Sequence, residues 1–379
     1  MTDSLNVTVV SDVEALKALG DALEDLSQDL CEPNVFYEPW MLFPALAHLG
    51  DGAHFDFVLV HATDAPERLC GFFPLVRDRL HPRLPLPVHR LWHHAHCFRC
   101  MPLIRAGHAE PCWAAFLTWF ESASASRQLL LLNRLPGDGA VQRALDACLA
   151  RRGSLSVFAH SHETAYLRRK PSADALLQAA MSGKSLSTLR RKQRRLGESG
   201  PLCFADVDAD NDLSAQIDAF LRLEASGWKG KGNTAMGANP AEAAFFREVM
   251  DAAADRDRLS FLTLRLDGRM IAARTALLAP PGSFVFKIAY DESQSKHSPG
   301  ALLELEEIRR MHDPENALRA DLDWSDSSSV PDDGPFYRCW PERRRIMSYR
   351  IAAGFGAKAL VVRLLPLLSR HRSRSASAS

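Results

Sequence analysis

Between Lys296 and Leu302 the chain reads Lys-His-Ser-Pro-Gly-Ala-Leu, directly after an apolar stretch, and no acidic residue follows before Glu304. A helix that opens this way leaves backbone N–H groups free at its positive end, and the ligand that suits them is an anion, phosphate above all. Ser298 is placed to cap the helix. Pro299 fits the first helical position, where its missing N–H costs nothing, and Gly300 puts no side chain in the way of a phosphate. Lys296, Ser298, Gly300, Ala301 and Leu302 are therefore the candidate cofactor-binding residues. Capping alone also accounts for Ser298 and Pro299, so the ligand reading depends on the elements around them.

Other stretches carry chemistry-bearing residues. Lys287 sits inside an apolar strand pattern, where an unpaired charge is costly and a partner or ligand is expected; strand alternation pointing it outward is the plainer reading. Trp228 and Lys229, with Lys231 close by, suit either an acceptor pocket or a tryptophan covering a domain edge. Arg190, Arg191, Lys192, Arg194 and Arg195 form a basic block, with Leu186, Leu189 and Leu196 on another side of the same helix. That face suits a phosphate of a cofactor, a tRNA backbone or an acidic acceptor, or else it is a solvated face joining two domains. No aromatic residues interleave with it, which weakens the nucleic-acid reading. His93, His94, His96, Cys97 and Cys100 crowd into one stretch without the distant second pair that structural zinc sites use, so no metal is expected. No nucleophile-elbow or Walker-type sequence occurs.

The elements that must position these residues repeat one grammar. Residues 12–30 read as an amphipathic helix, followed by a turn and a second helix up to Leu49. Residues 55–79 read strand, polar turn, strand, and 81–101, rich in Pro and His, as irregular. A helix at 110–126, a strand at 128–135, a helix near 138–151 and a short strand near 154–159 follow. In the second half, 259–280 reads as two strands around Asp267-Gly268, a strong hairpin signal. A third strand over 283–291 and a helix over 299–312 complete it. This echo predicts two copies of one α/β unit. Between them, 173–200 is helical with a basic second half. The C-terminal stretch 358–374, apolar then basic, reads as a helix interrupted by Pro366, before a disordered tail.

At 379 residues the chain is comfortable for two domains, and equal numbers of Lys+Arg and Asp+Glu, 46 each, give it no global field for nucleic acid or membrane. The N-terminus lacks a basic stretch followed by an apolar core, and no window reaches the length of a membrane span. With eight scattered cysteines, this reads as a cytoplasmic, enzyme-sized protein with reduced thiols.

The order of strands and helix resembles the GNAT acyltransferase fold. More closely, 173–345 resembles the acetyltransferase domain of the CelD-like group, which is related to the Fem-type aminoacyl transferases. The stretches that carry the resemblance are SLSTLRRKQRRLGESG, FLRLEASGWKGKGNTAM, DGRMIAARTALL, FVFKIAYDESQSKHSPGALLELEEI and FYRCWPERRR. Two features depart from it. The spaced glycines of the pyrophosphate loop are reduced to Gly300, and the group's Tyr-Lys appears as Tyr337-Arg338. The resemblance implies two tandem GNAT-like domains with mixed, largely antiparallel sheets flanked by helices. The expected divisions are 1–165, a basic helical linker over 166–200, a transferase domain over 201–350, and a C-terminal helix and tail over 351–379. It implies transfer of an acyl group from acyl-CoA, such as acetyl-CoA, to an amine by direct attack, with a sugar- or lipid-linked acceptor by family association. Such an enzyme must align the reactants, take a proton from the amine and stabilise an oxyanion. Strand 271–279 would supply N–H groups for the oxyanion. Glu224, Asp291 and Asp323 are the candidate bases, since partial desolvation raises a carboxylate's pKa; Trp228, Lys229, Lys287, Tyr290 and Tyr337 are the candidate substrate-binding residues. Aminoacyl transfer from charged tRNA, and a non-catalytic binding protein with a decayed donor site, are the alternatives.

Overall fold

In the computed structural model of the chain the described residues are 5–81, 84–122, 129–153, 156–207, 212–227, 230, 232, 234–329 and 334–352. They include the strands β1 (Leu5–Val10), β2 (His54–Ala62), β3 (Leu69–His81), β4 (Leu84–Leu91), β5 (Leu103–Ile104), β6 (Leu129–Pro136), β7 (Ser156–Arg168), β8 (Leu202–Asp206), β9 (Leu259–Leu266), β10 (Arg269–Ala279), β11 (Gly282–Tyr290), β12 (Trp324–Asp326) and β13 (Glu342–Ala352). The chain divides into two compact units. One takes Met1–Pro39, Gly52–His162 and the chain from Arg345 on; the other takes Trp40–Asp51 and Glu163–Arg344.

In the first unit β1, β2, β3 and β4 pair antiparallel in that order, and β5 adds to β3. β4 then runs parallel to β6 at His89–Leu130 and Arg90–Leu131, and β13 pairs antiparallel with β6. β2 is buried along six consecutive residues, which is why it reads as an unbroken apolar run and not as an alternation. The helix Ala109–Ser122 packs on this sheet through aromatic rings: Phe116 stacks on Phe73 with centroids 4.2 Å apart, and Trp113 meets Phe73 edge-on.

The second unit repeats the plan. β8, β9, β10 and β11 are antiparallel neighbours, β11 runs parallel to β12, and β12 pairs antiparallel with β7. The β9–β10 hairpin turns at Asp267 and Gly268, both at positive φ (51° and 76°), as a two-residue turn of matching twist demands. One face of the sheet carries the helix Pro299–Met311, which packs on Leu262, Leu264, Ala272 and Ile288. The other carries Leu213–Ser226 and Pro240–Ala254, whose Phe220 and Phe246 meet Phe261 and Phe286.

The mixed, largely antiparallel α/β plan and the two-fold echo are as the sequence predicts. Three local readings differ. Residues 84–91 form β4 and are not irregular; the ladder to β6 begins only at His89, past Pro85 and Pro87, where missing N–H groups are tolerated. The helix expected over 12–30 is two helices, Val13–Lys17 and Gly20–Ser27. Helicity over 173–200 is likewise split, into Ala173–Ala180 and Gly183–Gly197, and both belong to the second unit. The expected C-terminal helix and tail over 351–379 lie outside the described residues beyond Ala352. Among the described residues no helix is long and apolar enough to cross a membrane.

Candidate active site

Two irregularities in the second unit's sheet define the site. The β10–β11 register slips where Thr275 faces Lys287 but Ala276 faces Val285, so Phe286 is the extra residue of a bulge. On its other edge β11 pairs with β12 only from Gly282 to Phe284. Past Asp326 the chain follows β7 instead: Ser327 N–H donates to Ala165 O at 3.1 Å, and Thr164 Oγ1 donates to Ser329 O at 2.9 Å. From Val285 to Tyr290 the β12-side edge of β11 therefore has no strand partner among the described residues. A fork opens between the parting strands, about 20 Å long at strand rise, and it points toward the start of the helix Pro299–Met311.

That helix start departs from a plain cap. Ser298 occupies the cap position at φ +56°, in the left-handed region, and its hydroxyl makes no capping bond. Instead Ser298 Oγ accepts from Lys192 Nζ at 2.7 Å, which brings the basic helix Gly183–Gly197 against the loop before the helix. Leu302 N–H is the first to find a backbone acceptor, Ser298 O at 3.1 Å. Pro299 has no N–H, so Gly300 and Ala301 carry the donors left over. Gly300 does not face open space. A Cβ there would lie 3.7 to 3.8 Å from Ile288, Pro335 and Tyr290, so the glycine is packed and the opening it was expected to leave is not where it points. The side chains of Ala301 and Leu302 are buried in the core beneath the helix.

The strand end reaches a different surface. A cleft of about 680 Å³ is lined by Arg222, Ser226, Arg269, Asp291, Glu292 and Ser293, among others. Asp291 pairs with Arg269 and also accepts from Ser293 N–H at 2.9 Å, capping the turn Glu292–His297. Lys296 lies exposed on that turn. Tyr290 is exposed beside Gly300, and Lys287, half-buried after the bulge, holds its ammonium 5.4 Å from the Phe286 ring centroid.

Other predicted site residues sit apart from this group. Glu224 is buried and its carboxylate accepts from Met236 N–H at 2.9 Å, which ties the helix end to the turn Met236–Ala238. Asp323 is exposed at the entrance of β12, next to Gly282, and so lies at the opposite end of β11 from Asp291. The parallel register, invisible in the sequence, separates the two. Tyr337 donates its hydroxyl to Glu163 O at 2.8 Å and lies under the Arg343 guanidinium. β10, expected to supply the oxyanion donors, is bonded on both edges, to β9 and to β11; the free edge belongs to β11. Trp228 and Lys229 lie outside the described residues.

A buried ionic network escaped sequence reasoning. Arg274 on β10 is fully buried, with Nε 3.0 Å from Glu304 and Nη1 3.3 Å from Glu307, though neither pair is aligned as a hydrogen bond. Arg319 bonds Glu307, Asp206 and Ser260. Burial raises the pKa of Glu304 to about 7, against the opposing pull of Arg274. Burial would raise Glu307 too, but Arg319 and Arg274 outweigh it and hold it at about 2. The signal was there: Gly300, Glu304 and Glu307 recur on the sheet-facing stripe of a helix, where acids need partners. Among the described residues no cluster of His, Cys, Asp and Glu could hold a metal.

Residues 183–324 match the family model described as an acetyltransferase (GNAT) domain. Among solved structures the chain is similar to FemX, at 10% identity over 90% of this chain and 96% of that one, with a TM-score of 0.58. It is similar to a protein of unknown function from Bacteroides thetaiotaomicron, at 12% identity over 92% and 99%, TM-score 0.55. A third is the C-terminal domain of a putative lysylphosphatidylglycerol synthetase from Agrobacterium fabrum, at 12% identity over 91% and 95%, TM-score 0.50. No curated protein matches the sequence. Residues 183–324, within the second unit, are thus similar to a GNAT acetyltransferase domain, and the chain shares its fold with these structures.

Proposed function

We propose that the protein is an N-acyltransferase that moves an acyl group from acyl-CoA to an amine. The observation that carries this reading is the fork along β11 leading to a helix start without an acid in its first turn and with Lys192 beside it. The donor's phosphates would take the N–H groups of Gly300 and Ala301 and the Lys192 ammonium, which is free to leave Ser298 for a stronger acceptor. The rest of the donor would lie along the free edge of β11, its thioester near the bulge. There the amine nitrogen attacks the acyl carbon, a C–N bond forms, the C–S bond breaks, and backbone N–H groups of β11 stabilise the oxyanion. The departing thiolate takes up the amine's proton, and Asp291 with Glu292, at the strand end beyond the bulge, draws a cationic acceptor. Glu224 positions the helix end that bounds this cleft. The CelD-like resemblance favours a sugar- or lipid-linked acceptor.

A second reading, transfer from aminoacyl-tRNA, is favoured by one observation. The helix Gly183–Gly197 contains no acid, and a groove of about 700 Å³ joins its Arg190 and Arg194 to Arg309. The experiment is a thermal-shift and calorimetric titration of the full chain with acetyl-CoA, alongside charged and uncharged tRNA. Saturable binding of acetyl-CoA with acyl transfer to a primary amine supports the first reading. Salt-sensitive binding of tRNA alone replaces it with the second, and binding of neither overturns both.

A further inference from the structure

The loop between β4 and the helix Ala109–Ser122 holds a pair of thiols that the transfer chemistry does not use. Cys97 and Cys100 stand at Cys-x-x-Cys spacing, fully buried, with their sulfurs 3.9 Å apart. The loop is held in place around them. Arg134 donates from Nη1 to Cys97 O at 2.6 Å and accepts from Cys100 N–H at 3.4 Å, in a left-handed conformation with φ 56°. The Tyr37 hydroxyl, next to both sulfurs, donates to Trp92 O at 2.5 Å. A residue other than glycine held at that φ is a conformation the surroundings must enforce, and here it is enforced at the thiols.

We propose that Cys97 and Cys100 are a redox-active dithiol that a peroxide converts into an intramolecular disulfide. The sulfurs are already in contact at 3.9 Å and close to about 2 Å in the bond. The contact between the two thiols also divides the roles. Burial opposes ionisation of Cys100, but the Cys97 S–H and the Arg134 charge outweigh it and lower its pKa, whereas burial raises Cys97. The Cys100 thiolate attacks the peroxide O–O bond and becomes a sulfenic acid, releasing hydroxide. The Cys97 sulfur, giving up its proton, then displaces the sulfenic oxygen, which leaves as water, and the S–S bond forms. The loop carries no regular ladder between Trp92 and Met101, so a small oxidant reaches it by local opening. Other thiols lack this arrangement: burial pushes half-buried Cys31 up to about 12, and drives buried Cys112 well above the usual thiol range.

The test treats the full chain with hydrogen peroxide, unfolds it without reductant, alkylates free thiols and maps them by mass spectrometry. Cys97 and Cys100 are expected to escape alkylation together, as a linked peptide lighter by two hydrogens and restored by dithiothreitol. Exposed Cys203 is the internal control for oxidant dose. In a Cys97→Ser chain the reaction should stop at a Cys100 sulfenic acid that dimedone traps, and Arg134→Gln should slow the wild-type step several-fold. The proposal falls if Cys97 and Cys100 both remain alkylatable after Cys203 has reacted. It also falls if they gain oxygen without linking, or if the disulfide joins Cys70 to Cys112.

Discussion

The two units place a helix after the fourth strand of an antiparallel set, and then a strand parallel to that fourth strand, but they treat the gap differently. In the second unit the fork between β11 and β12 is left open and the helix begins with Ser298-Pro299-Gly300, Lys192 beside it. In the first, the fork between β4 and β6 is filled by the chain itself, as Arg134 on β6 binds the backbone of Cys97 and Cys100. Its helix starts with Glu110 in the first turn, paired with Arg151 at 2.5 Å. That acid already answers the dipole and would repel a phosphate. One topology thus yields an open fork with an acid-free helix start in one unit and a filled fork with an acid-bearing helix start in the other. The helices are also held differently, by stacked aromatics in the first unit and by buried ions in the second.

The strongest way to break this contrast is to remove the central cation. Arg274→Met leaves Glu304 without its cation and Glu307 with Arg319 only. It should cost about 3–5 kcal/mol in denaturant unfolding; a loss under about 1 kcal/mol would mean that the network is not what seats the helix. The next test is pH. Glu304 has its folded pKa raised from 4.5 to about 7, so the folded state holds a proton that the unfolded chain releases, and stability falls as pH rises through that window. Glu307, lowered to about 2, has the opposite sign and adds stability as pH rises from about 2 to 4.5. Glu304→Gln should remove the fall between pH 4.5 and 7 measured by urea unfolding; an unchanged slope refutes the assignment. The smallest effect is Gly300→Ala. Its Cβ meets only ordinary contacts, so stability should rise by about 0.5–1 kcal/mol with donor affinity unchanged. A loss of affinity would mean that the ligand needs the glycine itself.

Local signals made much of this legible in the sequence. Asp267-Gly268 dictated a hairpin, the Ser-Pro-Gly opening dictated a helix start, and the recurrence of strand, turn, strand announced two units. What stayed hidden depends on pairing between distant residues. β4 was masked by prolines whose cost vanishes only where its edge is unpaired. The parallel register that sends Asp323 to the far end of β11 is a tertiary choice. The attachment of Lys192 to Ser298 needs a left-handed serine that sequence reads as a simple cap. Arg274 and Arg319 could not be assigned to Glu304 and Glu307 before the sheet put them under one helix.

On the proposed function, the donor's anionic end rests at the second unit's helix start. Calorimetric titration of acetyl-CoA into the wild-type chain, Lys192→Glu and Glu110→Gln tests it most directly. Wild-type binding should be saturable, weakened at least about tenfold by Lys192→Glu and left unchanged by Glu110→Gln. Equal affinity in the wild type and Lys192→Glu, or a loss confined to Glu110→Gln, would contradict it.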